Sequence, residues 1–116
     1  IILTDEKWLL FVIEQLLSNS LKYTKPGGCI SLQWKPQQIL VVKDTGIGIA
    51  KEDLPRIFEK GYTGYNGRED KKASGIGLYL CKRICEKLGY GIRAESEIHK
   101  GTEIILDLKR KKLEIE

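Results

Sequence analysis

Three short stretches of this 116-residue chain carry side chains that could do chemistry. The first is Asp44-Thr45-Gly46-Ile47-Gly48, directly after the aliphatic run Ile39-Leu40-Val41-Val42. A carboxylate is an acceptor, suited to the exocyclic amine of adenine and unsuited to phosphate. Glycines beside it let a flat base come close to the backbone. The same residues would also make a plain tight turn after a strand. The second stretch is Gln15, Asn19, Lys22 and Tyr23, at i, i+4, i+7 and i+8, which share a face if the segment is helical. An amide oxygen is a hard ligand for Mg²⁺ and an ammonium neutralises phosphate. Such a face could hold a metal-bound polyphosphate, or be an ordinary solvated surface. The third is Gly75-Ile76-Gly77-Leu78, which follows a loop carrying Arg68, Lys71 and Lys72. Bare N–H groups at a helix start favour an anion; the plainer reading is a hinge.

These stretches need elements to hold them. Thr4 or Asp5 can cap a helix running to about Tyr23. Its Leu9, Val12, Ile13, Leu16, Leu17 and Leu21 form a core-facing stripe. Pro26-Gly27-Gly28 makes a turn. Cys29 to Trp34 and Ile39 to Lys43 read as the strands of a hairpin, turning at Pro36-Gln37-Gln38. The segment "AKEDLPRIFEKGY" reads as a short helix or helical turns, and residues 61–75 as a mobile loop without periodicity. A second helix spans Ile76 to Leu88, with Ile76, Leu80, Ile84 and Leu88 on one face and Gly89 as its stop. Tyr90 to Glu97 and Thr102 to Leu108 are two further strands, joined at His99-Lys100-Gly101. The order predicts an α/β sandwich of the α+β kind: helices layered on one face of a mixed, mostly antiparallel sheet.

The bulk numbers narrow the function classes. Hydrophobic residues make up 41% and charged residues 31% of the chain, a water-soluble globular composition with enough length for a core. No apolar run approaches the roughly 20 residues that span a bilayer. The chain starts at Ile1 without a leader pattern, which reads as a piece of a longer protein. The net charge of +4 is mild, and Lys109-Arg110-Lys111-Lys112 reads as a solvated end rather than a nucleic-acid patch. Three cysteines, Cys29, Cys81 and Cys85, form no disulfide framework and suit a reducing compartment. Cys81 and Cys85 with His99 could be offered as a zinc site, but the paired CxxC spacing is missing, and two small core residues is the better reading. There is no GxxxxGK[ST] and no complete GxGxxG after a strand, so P-loop and Rossmann sites are unsupported. The single histidine and the lack of a nucleophile elbow leave no Ser-His-Asp reading.

Taken in order, the stretches resemble the motifs of the Bergerat-fold (GHKL) ATPases: gyrase, Hsp90, MutL and sensor histidine kinases. "EQLLSNSLKYT" (14–24) resembles their N box, "DTGIGI" (44–49) the first glycine box, "GIGLYL" (75–80) the second, and "KGTEIIL" (100–106) the terminal Gly-Thr strand. "IFEKGY" (57–62) resembles the F box of histidine kinases in particular, so the chain is similar to the ATP-binding catalytic domain of a bacterial sensor histidine kinase. The stretch from Phe58 to Gly89 is also similar to the small-sensor kinases of Gram-positive bacteria that work beside peptide-antibiotic transporters.

The resemblance implies residue roles. Asn19 would bind Mg²⁺, Lys22 would contact phosphate and Tyr23 would line the nucleotide pocket. Asp44 would accept the adenine amine, with Gly46 and Gly48 giving room and Thr102 joining the polar network behind it. Phe58 would anchor an ATP lid over about residues 61–74, Lys60 could reach phosphate, and Tyr62 and Leu78 would be nucleotide-contacting positions. Gly75 and Gly77 would shape the lid's end. The implied cofactors are ATP and Mg²⁺. The implied partners are a histidine-bearing dimerisation domain before residue 1, in a homodimer, a response regulator, and, from the narrower resemblance, an ABC transporter for peptide antibiotics. The chain would then be a cytoplasmic domain of a bacterial membrane protein that itself touches neither nucleic acid nor membrane. One departure stands out. Gln15 occupies a position where histidine kinases often have Asn and gyrase-like ATPases have a water-activating Glu. Gln is no general base, and Glu14 points about 100° away around the helix. Two rivals stay open: an ATPase that drives conformational closure, and a non-catalytic nucleotide-binding or docking module.

Overall fold

The computed structural model describes residues 2–62 and 77–109, residues 2–5 by their backbone alone. Helix α1 spans Ile2–Tyr23. Strands β1 (Ile30–Lys35) and β2 (Ile39–Asp44) follow, then a single 3₁₀ turn at Leu54–Arg56, helix α2 (Gly77–Leu88), and strands β3 (Gly91–Glu97) and β4 (Gly101–Asp107). The sheet order is β1-β2-β4-β3, and all three pairings among the described strands are antiparallel. The expected sandwich is therefore present, with no parallel pairing within the described residues.

The register explains the core. Residues directly opposite on neighbouring strands point to the same face. Leu40, Leu106 and Ile92 form one such row across β2, β4 and β3; Val42, Ile104 and Ala94 form the next. Val12 and Leu16 of α1 and Cys81 and Cys85 of α2 pack onto these two rows, so both helices cover the same face. Each fully buried aliphatic side chain here contributes about 1.5–3 kcal/mol. The third row is Asp44, Thr102 and Ser96. Across β2, β4 and β3 this row is polar, and only Ile30 of β1, opposite Asp44, adds an aliphatic side chain.

Three details differ from the sequence reading. The backbone is already helical at Ile2, so Thr4 and Asp5 lie inside α1 rather than capping it; no Gly or Pro precedes them to break the helix earlier. Leu21 is 69% exposed. The buried arc of α1 runs through Val12, Leu16 and Ser20, and Leu21 stands about 140° from Leu16. On α2 the buried face is centred on Cys81 and Cys85, leaving Leu80 37% exposed. Ile76 lies outside the described residues. Gly89 ends α2 as expected: it takes φ +80°, its N–H bonds to the carbonyl of Glu86, and Tyr90 N–H bonds to that of Cys85. These two bonds are a Schellman closure.

Candidate functional site

The site is built where the third row meets the ends of both helices. Asp44 is the last residue of β2 and only 7% exposed. Its Oδ1 accepts two backbone N–H groups, from Gly46 at 2.9 Å and from Thr102 at 3.2 Å. The carboxylate is thereby fixed by its own loop and by the facing strand. Its Oδ2 makes no hydrogen bond among the described residues, so one acceptor of a rigidly held carboxylate remains for a ligand.

Ser96 and Thr102 continue the row. Ser96 Oγ accepts from Ile49 N–H at 2.8 Å, donates to the carbonyl of Gly101 at 2.7 Å, and lies 2.9 Å from Thr102 Oγ1. Thr102 therefore joins a polar network behind Asp44, and Ser96, which no motif singled out, is its junction. The clue available in the sequence was its place on the same alternating face as Ile92 and Ala94.

The glycines serve a role that spacing alone did not reveal. A Cβ on Gly46 would sit 2.4 Å from the carbonyl oxygen of Tyr23. One on Gly48, at φ +77°, would sit 2.1 Å from the carbonyl oxygen of Glu97. One on Gly101, at φ +103°, would sit 2.0 Å from that of Asp44. The bare backbone thus makes room first for the protein's own backbone. Loop 45–49 is pressed between the end of α1 and the β3–β4 turn. Ile47 N–H bonds to the carbonyl of Tyr23 at the helix end, and His99 N–H bonds to the carbonyl of Ile47. Thr45 ties the loop to β1 through Cys29, whose N–H donates to Thr45 Oγ1 at 2.8 Å.

The polar stripe of α1 borders the same region. Gln15 and Asn19 are half-buried and Lys22 is exposed. Gln15 Oε1 lies 3.1 Å from where a Cβ on Gly77 would be, so the start of α2 abuts this stripe, and Gly77 keeps that approach open. The Asn19 amide makes no hydrogen bond among the described residues. Tyr23 is half-buried at the helix end. Glu14 is exposed.

The segment before residue 63 is anchored from several directions. Ile57 is buried and Phe58 packs against the core, with the Lys82 ammonium 5.8 Å from its ring centroid. The Tyr62 hydroxyl donates to Asp53 Oδ1, while the Arg56 guanidinium lies 4.6 Å over the Tyr62 ring. Lys60 Nζ is 5.9 Å from the ring of Tyr79, in the first turn of α2, which puts that cation beside the helix start. Leu78 packs against the core cluster. Gly75, Arg68, Lys71, Lys72 and the expected lid beyond Tyr62 lie outside the described residues.

The other candidate chemistry is absent from the described residues. No group of three metal-capable His, Cys, Asp or Glu side chains occurs among them. Cys81 and Cys85 are buried, and burial pushes their thiols up to about 12 and about 11 from the ordinary 9.0. Cys81 Sγ faces the carbonyl of Val12 at 3.8 Å. They are inert core residues, as read from their spacing. His99 is exposed in the β3–β4 turn at φ +69°. Among the described residues no helix is long and apolar enough to cross a membrane.

Comparison with known proteins agrees with this geometry. Residues 4–112 match the family described as histidine kinase-, DNA gyrase B- and HSP90-like ATPases. The chain is 43% identical over 105 residues to the sensor histidine kinase GraS of Staphylococcus haemolyticus, a match covering 89% of this chain and 30% of the relative. It is 44% identical over 102 residues to GraS of Staphylococcus epidermidis, covering 85% of this chain and 29% of the relative. The chain thus spans about 30% of the length of these curated relatives. Among solved structures, the mycobacterial sensor histidine kinase MprB superposes with a TM-score of 0.71 at 26% identity, over 86% of this chain and 68% of that one.

Proposed function

The chain belongs to the family of histidine kinase-, DNA gyrase B- and HSP90-like ATPases, and we propose that it is the MgATP-holding part of a sensor histidine kinase. Residues 1–116 would form one catalytic ATP-binding domain, with a lid over about residues 61–74. The observation that carries this reading is Asp44: a buried carboxylate with Oδ1 locked by two backbone donors and Oδ2 left over. That arrangement suits the exocyclic amine of adenine and repels phosphate.

The residues present fit the nucleotide. Asp44 would take the base, backed by Thr102 and Ser96. Asn19, whose amide is uncommitted among the described residues, would contribute to Mg²⁺. Lys22 and Lys60 would neutralise phosphate charge, the latter beside the α2 N-terminus, where N–H groups favour anions. Tyr23, Tyr62, Gly75, Gly77 and Leu78 would line or border the pocket. Bound ATP supplies the phosphoryl group, and transfer is mostly positioning and charge neutralisation. The acceptor histidine would lie outside this chain, because His99 sits in an exposed strand-to-strand turn. Gln15 in place of an acid disfavours a water-activating role, which places the gyrase-like reading second. A dimerisation domain, a response regulator and a peptide-antibiotic transporter would be the partners, and the whole protein would be a bacterial membrane sensor.

Thermal unfolding with ATP or ADP, with and without Mg²⁺, tests this reading. Ligand at about 100 Kd adds roughly 2.7 kcal/mol, enough to raise the midpoint by several degrees. The expected result is a Mg²⁺-dependent rise with ATP that disappears in Asp44→Asn. No rise in the wild type would move the docking-module reading to the front. Turnover of ATP by this chain alone would favour the ATPase reading, and phosphohistidine on an added histidine-bearing segment the kinase reading.

A further inference from the structure

The outer edge of β1 carries an inference that does not depend on the nucleotide-binding reading. β1 pairs with β2, and among the described residues no strand lies on its other side. Bonding direction alternates along an antiparallel strand. The carbonyl of Cys29 accepts Thr45 N–H and that of Gln38 accepts Leu108 N–H, which sets the alternation across the sheet. Ser31, Gln33 and Lys35 therefore bond toward β2, while the N–H and C=O groups of Ile30, Leu32 and Trp34 point outward. The side chains of Leu32 and Trp34 lie opposite Val42 and Leu40, on the face that the helices cover. Yet they are 49% and 65% exposed, so the helix layer stops short of this edge. Helix α1 lies over β1 and β2, with Gln15 turned toward the start of α2. Leu10 and Leu21 stand only about 20° apart around α1, on the flank away from Gln15, and are 55% and 69% exposed. Two helix and two strand side chains thus form one apolar margin along the edge, the kind of cluster that marks an interaction site.

We propose that this margin is a self-association surface, taken by β1 of a second copy of this chain across a two-fold axis. Edge strands that stay single are blunted by charges, proline or a bulge. β1 has an unbroken register with β2, no proline, and a single charge, Lys35, at its last residue. From Ser31 to Lys35 its polar–apolar alternation reads the same in both directions, as an antiparallel copy requires. With the axis at Gln33, Leu32 faces Trp34 of the second copy, and Trp34 faces Leu32 of that copy. Outward-pointing backbone groups then meet their like, and both pairs exchange hydrogen bonds. Each pair also sets an aromatic ring against an aliphatic side chain, which favours the register. Lys35 falls opposite Ser31 of the second copy, so no like charges meet. The α1 flanks of the two copies cover the seam with Leu10 and Leu21. A strand from another protein would have to match this alternation and bring an apolar flank of its own; a second copy has both.

Sedimentation equilibrium on this chain, from micromolar to millimolar concentration, tests this. The expected result is a mass that rises from that of one chain to that of two and stops there. Trp34→Lys puts an ammonium into the seam. Its dissociation constant should rise about tenfold or more, the effect of losing one interface anchor. The unfolding midpoint of the dilute protein should stay where it was, because Trp34 is mostly exposed. A thiol at the axis tests the register. Residues opposite each other in a non-hydrogen-bonded pair have Cα atoms about 4.5 Å apart, within disulfide reach. Gln33→Cys, combined with Cys29→Ser to remove the exposed native thiol, should therefore oxidise to a covalent dimer. Ser31→Cys in the same background should not, since it meets Lys35 instead. A mass of one chain at every concentration overturns the inference and leaves the edge to a different protein. A dimer that Trp34→Lys does not weaken lies on another surface and overturns it too. So does equal cross-linking through Ser31→Cys and Gln33→Cys, or growth past two chains.

Discussion

At one end of the sheet Leu40, Leu106 and Ile92 lie side by side under the helices; four residues along the same strands, the corresponding positions are Asp44, Thr102 and Ser96. The two ends also turn differently. The β1–β2 turn takes positive φ at Gln37 and Gln38, +66° and +63°, without any glycine. At the polar end, Gly48 and Gly101 take positive φ where backbone from elsewhere in the chain lies at hard contact. One end is held by apolar packing with an exposed turn outside it. The other is held by backbone pressed on backbone, with its side-chain acceptors kept for something else. Stability and binding should therefore separate along the length of each strand.

The largest effect is expected at the apolar end. Leu106 is fully buried beneath both helices, and Leu106→Ala should cost about 2–5 kcal/mol. Denaturant unfolding checks this, and a loss under 1 kcal/mol would mean that the first row is not the core. Next comes Gly48→Ala. Its Cβ would meet the Glu97 carbonyl at 2.1 Å on a left-handed backbone, and such overpacking costs about 1–3 kcal/mol. The loop and the β3–β4 turn should part, so nucleotide affinity should fall along with stability. Loss of affinity at unchanged stability would mean that Gly48 serves the ligand directly.

Asp44→Asn should behave oppositely. Asn Oδ1 can still accept from Gly46 and Thr102, so the fold keeps its clamp. The amide, however, puts a donor where Oδ2 was. ATP affinity should drop about 10- to 100-fold, the size expected for losing a charged hydrogen bond, while the unfolding midpoint without ligand moves little. A large fall in that midpoint would make Asp44 a structural residue and blur the contrast between the two ends.

Much of the polar end was legible because its chemistry is local. Asp44, Gly46 and Gly48 are contiguous, and a strand followed by an acid and glycines narrows the options. Asn19 and Gln15 follow from helical spacing. Ser96 was only half legible: alternation puts it on the face of Ile92 and Ala94, but only the pairing with Thr102, itself opposite Asp44, makes it part of the row. The glycines were found for an incomplete reason, because close approach of Glu97 and Tyr23 is a tertiary fact. At the apolar end the strands were read to within a residue, but Leu21 and Leu80 were assigned inward. Hydrophobicity marks a broad stripe on a helix, while the partner strands cover a narrower arc, and on α2 two cysteines occupy its centre.

Those cysteines give a smaller contrast. Native protein near pH 8 should be alkylated at exposed Cys29 and spared at Cys81 and Cys85, whose thiols burial holds at about 12 and about 11. Because these folded values lie above the ordinary 9.0, the native state keeps protons that the unfolded chain releases. That stabilisation is complete below pH 9 and is lost as pH rises from about 9 toward 11 and 12. Modification of three thiols without unfolding would show that the α1–α2 layer opens.

The smallest effect, and the sharpest test of why glycine is used, lies in the β1–β2 turn. If positive φ alone demanded glycine, Gln37 and Gln38 would be misfits, each strained by roughly 1–2 kcal/mol. Both are exposed, so nothing but their own backbone opposes them. Gln38→Gly relieves that strain but lets the unfolded chain gain freedom, which returns about 0.4–1 kcal/mol. The net should be a stabilisation between about 0 and 1.6 kcal/mol, with nucleotide affinity unchanged. Set beside the loss expected for Gly48→Ala, at nearly the same φ, it separates two reasons for glycine: conformational freedom is a minor one, and the hard contact with Glu97 decides. Equal and opposite effects at the two turns would mean that φ governs both, and the backbone-on-backbone account of the polar end would fall.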